Sequence, residues 1–166
     1  LRGGKGWLYE GGIREAFLIR APGITNAGST CDAPVVTTDF YPTILELAGK
    51  PAKPKQHLDG VSLTSLLKGG AQLDREAIYW HYPHYANQGG FPGGAVRMGD
   101  WKLLERYEDG QVHLYNLADD IGERDDLAKT HPDRVASMRA KLHAWYKETD
   151  AKFLQAKGDG PQPWRP

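Results

Sequence analysis

A single lysine set among glycines, Gly4-Lys5-Gly6, is followed at once by Trp7-Leu8-Tyr9-Glu10-Gly11-Gly12-Ile13-Arg14. Glycine lets a backbone pass close to a ligand. A lysine carried on such a loop is a compact point charge suited to an anionic oxygen. A preplaced ammonium of this kind stabilises an oxygen that gains negative charge during bond cleavage. A solvated lysine in a turn explains an isolated G-K-G better; the longer block makes the motif specific. Glu10 and Arg14 lie four apart and bridge locally or tie the loop to a neighbouring sheet, while Gly11 and Gly12 permit a tight turn. Their expected role is scaffolding.

Two other clusters carry ligand-type side chains. His81-Tyr82-Pro83-His84-Tyr85 has H-x-x-H spacing. Pro83 breaks the helix that would align the two imidazoles, and no third Cys, His or carboxylate is close in sequence, so zinc is not expected. Asp119, Asp120, Glu123, Asp125 and Asp126 form an acidic loop. Clustered carboxylates can hold calcium, but this spacing does not match D-x-[DN]-x-[DN]-G. Turn capping is the expected role.

The elements that must position these residues read as α+β. Ala16–Arg20 is a short apolar run stopped by Pro22-Gly23 and reads as a buried strand. Thr38-Asp39 offers an N-cap, Phe40, Ile44, Leu47 and Ala48 recur at helical spacing, and Gly49 stands at C′. Leu63, Leu66 and Leu67 suggest a further turn or two of helix. Ala77–Tyr82 reads as a strand, and residues 86–94 as a loop. Ala95–Met98, Trp101–Tyr107 and Val112–Leu117 follow, separated by the turn pairs Gly99-Asp100 and Asp109-Gly110. The expectation is therefore an antiparallel sheet of about four strands. Pro132 opens an amphipathic helix to about residue 150, with Val135, Met138, Leu142 and Trp145 on its packed face. Three domains follow: 1–70, 71–157 with the sheet and helix, and an irregular tail, 158–166.

Formal net charge is zero, which argues against nucleic acid as a partner. Apolar stretches are too short to span a bilayer, so no membrane partner is expected. Cys31 is the only cysteine, which excludes an internal disulfide. The chain starts at Leu1, as a domain or processed fragment of a longer protein would.

Leu1-Arg2-Gly3-Gly4-Lys5 and the E-G-G-x-R block together resemble the segment that opens the last third of type I sulfatases. Thr38-Asp39-Phe40-Tyr41-Pro42-Thr43 and the L-Y-N-L-x-D-D-x-x-E run from Leu114 to Glu123 are similar to that family too. The resemblance implies hydrolysis of a sulfate ester, of a sugar or an aryl group, with Lys5 contacting the sulfate. It implies that residues 1–70 complete the edge of a large α/β domain formed with the rest of the polypeptide. H-Y-P-H-Y resembles a region bordering the substrate pocket, which makes His81 and His84 candidate substrate-binding residues and the glycine-rich loop 88–94 a candidate rim. The family uses calcium and a formylglycine made from Cys or Ser in C/S-x-P-S-R. That segment is not in this chain, and Cys31, in Thr-Cys-Asp-Ala-Pro, does not match it. No calcium ligands are identifiable either, so the chain alone is expected to be inactive. A periplasmic or secreted location is the accompanying expectation. Two alternatives stay open: a related phosphate or phosphonate ester hydrolase, and a non-catalytic carbohydrate-binding module with five Trp and eight Tyr for stacking.

Overall fold

Four strands pair in chain order: β1 (Ile78–Tyr82), β2 (Gly93–Met98), β3 (Trp101–Arg106) and β4 (Val112–Asn116); all but the glycine-led β2 are rich in aromatic, β-branched or leucine residues. All three pairings are antiparallel, as expected from the two short turns. The structure, a computed structural model, describes residues 1–160 and 162–166; the tail expected at 158–166 contains Pro161, which lies outside the described residues.

Successive residues of a strand point to opposite faces, and here both faces are buried. Val96, Leu103 and Leu114 face helix α4 (Pro132–Glu148) and pack on its Met138, Leu142 and Tyr146. Pro132 occupies the first turn of α4, where its missing N–H costs nothing. On the other face Ala95, Leu104 and Tyr115 pack against Leu8 and Tyr9, with Trp80, Tyr82 and Phe91 around them. Ala95 pairs with both Trp80 and Leu104, so a small side chain sits between two large ones. The sequence expectation of an α+β sheet packed by a C-terminal helix therefore holds.

The chain divides into two compact units, residues 1–16 with 77–166, and residues 17–76. The first sixteen residues thus join the sheet unit instead of residues 17–70. Leu8 and Tyr9 bury against strands some ninety residues away in sequence, a contact that local pattern cannot display.

In the second unit, a 3-10 turn (Thr37–Asp39) runs into α2 (Phe40–Leu47), and α3 (Thr64–Leu67) follows. Asp39 does not cap α2. Its buried carboxylate accepts a forked pair of bonds from Arg75, both 2.8 Å, and bonds from the N–H groups of Val36 (2.8 Å) and Val61 (2.9 Å). At the other end of α2, the N–H groups of Gly49 and Lys50 bond the carbonyls of Glu46 and Leu45, which closes the helix where Gly49 was expected to end it. The expected buried strand at 16–20 is absent: these residues form no ladder, and Leu18 is 93% exposed. A strand needs a neighbour for its backbone groups, and this unit contains none. Ile44 is likewise 62% exposed, so the apolar stripe of α2 is only partly used. Among the described residues no helix is long and apolar enough to cross a membrane.

Candidate functional site

The loop bearing Lys5 begins and ends on one acidic residue. At its start, Arg2 donates from Nη1 to the Glu123 carbonyl (2.8 Å) and the Tyr115 hydroxyl (2.9 Å), with its guanidinium 4.0 Å above the Tyr9 ring. At its end, the Glu10 N–H donates to Glu123 Oε2 at 2.6 Å. Between them the Gly11 N–H bonds the Arg2 carbonyl (2.8 Å) and the Trp7 N–H bonds the Gly4 carbonyl (3.0 Å). The loop folds back on the single helical turn α1 (Glu10–Ile13) so closely that a Cβ on Gly12 would lie 2.1 Å from the Trp7 carbonyl oxygen. Only glycine fits there.

Beneath the loop lies a buried charge cluster. Lys102 of β3 has no solvent exposure and donates from Nζ to Glu10 Oε1 (2.9 Å) and Glu123 Oε1 (2.8 Å). Arg14 Nη1 reaches Glu10 Oε2 at 3.3 Å. Burial by itself would raise the Glu10 pKa, but Lys102 and Arg14 outweigh it and hold the carboxyl below its ordinary value. Glu10 therefore both braces its own loop and ties it to the sheet.

Lys5 stands at the tip, exposed, with no hydrogen-bond or ion-pair partner among the described residues. Beside it runs the glycine-rich loop. A Cβ on Gly90 would meet the Gly6 carbonyl oxygen at 2.4 Å, and the Gly6 position itself touches Ala86 and Gln88. The loop at 86–90 is thus a wall directly against the lysine segment. Trp7 and Tyr9 both meet Phe91 edge-on, at 6.4 and 5.8 Å, which fixes the base of that wall.

The two histidines go to different places. His84 is exposed, at the start of the glycine-rich loop, edge-on to Tyr82 at 5.5 Å. His81 faces α4 on the opposite side of the sheet from Lys5, among Tyr107, Tyr146 and Phe153. Its Nε2 donates to the Lys152 carbonyl (2.8 Å), and in the neutral tautomer that leaves Nδ1 to accept from the Tyr107 hydroxyl (2.6 Å). Burial lowers its pKa, in keeping with that state. Both ring nitrogens are engaged within the protein, and the structure does not bring His81 to Lys5.

The acidic loop supplies turns and one anchor. Asp120 accepts from the N–H groups of Arg124 and Asp125, and Asp126 from those of Leu114 and Ala128. Burial opposes ionisation of Asp126, but these N–H groups and His113 win and lower its pKa. Glu123 is spent on Lys102. Among the described residues no group of three or more His, Cys, Asp or Glu is arranged to hold a metal ion.

Lys102 and Glu123 were missed as parts of the site. A signal for Lys102 was present: Leu103 and Leu104 imply a strand buried on both faces, which makes the neighbouring lysine a buried charge in need of a partner. Glu123 carries no such signal. Its backbone is left-handed (φ 52°), a conformation in which non-glycine residues are uncommon, and only the folded loop places it.

A family model described as "N-sulphoglucosamine sulphohydrolase, C-terminal" matches residues 4–152. A protein of Formosa agariphila named "Sulfatase" is 36% identical over 91% of this chain, which corresponds to 30% of that protein. A structure solved with its substrate, D-glucosamine-2-N,6-O-disulfate, superposes with a TM-score of 0.68 at 26% identity, over 80% of this chain and 28% of the solved one. A phosphonate monoester hydrolase of Silicibacter pomeroyi shares the fold, with a TM-score of 0.57 at 23% identity, over 78% of this chain and 28% of its own. The chain spans less than a third of the length of these proteins. It belongs to the N-sulphoglucosamine sulphohydrolase C-terminal family, in agreement with the resemblance to sulfatases read from Lys5 and the E-G-G-x-R block.

Proposed function

We propose that this chain supplies the sulfate-facing lysine of a sulfuric ester hydrolase, whose nucleophile and calcium ligands lie in the rest of the polypeptide. One observation carries the reading. Lys5 is an unpaired, exposed ammonium at the tip of a loop that is otherwise immobilised by buried charge and glycine packing. The backbone that carries it is pre-organised, so only the rotamers of its own stem remain to be fixed when a substrate oxygen gains charge. In this role Lys5 binds a non-bridging sulfate oxygen and stabilises the negative charge that grows as the ester S–O bond breaks. His84 and the loop at 86–90 form the rim that meets the group beyond the sulfate. His81 then acts at a distance, by fixing β1, the strand from which the rim departs. A sulfated sugar or aryl sulfate is the substrate class, and the sulfated glucosamine bound by a relative favours the sugar. A stacking module for carbohydrate is less well supported, because all five tryptophans are partly buried against the two cores.

The test is turnover of 4-nitrophenyl sulfate. The full-length protein containing this chain is expected to hydrolyse it, and Lys5→Ala to lower kcat/KM by about 10²–10³ with an unchanged melting temperature. Lys5→Arg restores activity only in part, because a planar fork differs in reach from an ammonium. The isolated chain, purified free of contaminants, is expected to show no turnover with or without added calcium. Preference for a 4-nitrophenyl phosphonate over the sulfate would instead identify a phosphonate hydrolase.

A further inference from the structure

We propose that Glu123 is a positioning residue for Lys5, acting as one clamp on both ends of the lysine loop. The inference rests on the reading that Lys5 meets the sulfate. Glu123 is fully buried and uses three acceptors at once. Its backbone carbonyl takes Arg2 at 2.8 Å, its Oε2 takes the Glu10 N–H at 2.6 Å, and its Oε1 takes Lys102 at 2.8 Å. Lys5 lies between Arg2 and Glu10, so one residue more than a hundred positions away in sequence ties both loop ends to the sheet, beside the direct bond from the Gly11 N–H to the Arg2 carbonyl. Gly3, Gly4 and Gly6 bring no side chain to bury, so the first half of the loop depends on backbone bonds and on the contacts of Arg2 with Glu123, Tyr115 and the Tyr9 ring. Of the five acids in the 118–130 loop, the contacts of Asp120 and Asp126 stay within the loop and β4, whereas Glu123 reaches across to the lysine segment.

The chemistry at Glu123 makes the isosteric variant informative. Lys102 Nζ and the Glu10 N–H are both donors, and each needs an oxygen. A carboxylate offers two. A glutamine offers one oxygen and one NH2 group, so in either orientation a donor meets a donor and one anchor is lost. The loop end shifts while the side-chain volume is kept. Misplacement of a catalytic group by about 1 Å is enough to lower rate by up to about 10²-fold.

The experiment is a double-mutant cycle in the full-length protein, with 4-nitrophenyl sulfate as substrate. Glu123→Gln is expected to lower kcat/KM by about 10-fold or more, mostly in kcat, and to cause less than about a twofold further loss in a Lys5→Ala background. A residue that merely supports folding would cost the same in both backgrounds, and that result would overturn the proposal, as would a fully active Glu123→Gln. If Lys5→Ala itself leaves kcat/KM unchanged, the sulfate reading falls and this inference with it, which separates the two failures. Should Glu123→Gln not fold, Arg2→Lys tests the other end of the clamp, since a lysine side chain ends one bond short of the Nη1 that now donates to both the Glu123 carbonyl and the Tyr115 hydroxyl, and it has no planar guanidinium to lie over the Tyr9 ring. The same silence in the Lys5→Ala background is expected, and additivity there is again the refuting outcome.

Discussion

Strand β3 sends one fully buried charge to each face of the sheet, and the two faces treat it differently. On the loop face, Lys102 meets Glu10 and Glu123, whose side chains are 3% and 0% exposed. On the helix face, Glu105 meets Arg139 at 2.6 Å and His143 at 2.9 Å, partners whose side chains are 35% and 29% exposed. The helix face is held mainly by apolar area: Val96, Leu103, Leu114, Met138 and Leu142 are all at most 2% exposed. Each such side chain contributes about 1.5–3 kcal/mol when fully buried. The loop face has its own apolar cluster around Leu8, Tyr9 and Leu104, but residues 1 to 6 bring few apolar groups to it, and a dry ion cluster adds directional anchors there. Apolar burial is non-directional. Paired buried charges are weak evidence for net stability, but they tolerate only one arrangement. On the loop face the charge pairs are directional, whereas α4 adheres to the helix face chiefly through apolar area.

The sharpest way to break this contrast is Lys102→Met. It leaves Glu123 without a counter-ion and Glu10 with Arg14 alone, and breaking a buried pair in this way costs roughly 3–5 kcal/mol. A large fall in the melting temperature of the full-length protein is expected, together with loss of 4-nitrophenyl sulfate turnover. Glu105→Gln, the corresponding change on the helix face, is expected to be milder, about 1.5–2 kcal/mol. Its partners can turn to water, and the apolar contacts of α4 remain. Thermal unfolding of both variants side by side checks the ranking; equal losses would show that the two charges play the same part. Turnover should survive Glu105→Gln at a temperature where the variant is folded.

Acid should separate the faces most gently. Burial holds the folded pKa of His81 below its ordinary value of 6.5. The unfolded chain therefore takes up that proton first, and stability rises with pH through this window. The contribution of His81 is present above about pH 6.5 and is lost as pH falls below it. Glu10 behaves at a lower pH: its folded pKa lies below the ordinary 4.5, so its contribution is present above that value and disappears only as pH falls through the depressed one. Melting temperatures measured from pH 8 to pH 3 should show the helix face weakening first and the ion cluster last. His81→Gln should flatten the upper part of the profile and leave the lower part intact. A profile unchanged by His81→Gln would remove His81 from the account.

Much of this was legible in the residues themselves. Alternation, turn pairs and Pro132 located four strands and the last helix, because those signals act over a few residues and the packed faces follow from the periods of strand and helix. The block around Lys5 pointed to its family, because the resemblance runs beyond G-K-G through E-G-G-x-R and is therefore specific. Other features were decided only by contacts distant in sequence. Nothing near Ala16–Arg20 reveals that it lacks a pairing strand. His81 and His84 look alike as H-x-x-H, yet strand parity sends His81 to the α4 face, while His84 lies beyond the strand end in the loop. Glu123 was one acid among five until the left-handed turn at residue 123 placed its carboxylate against Lys102 and Glu10. Local propensity acts through neighbours in the chain, whereas desolvation and charge pairing act through neighbours in space, so sequence determined which residue carries the charge and tertiary structure determined where that charge is held.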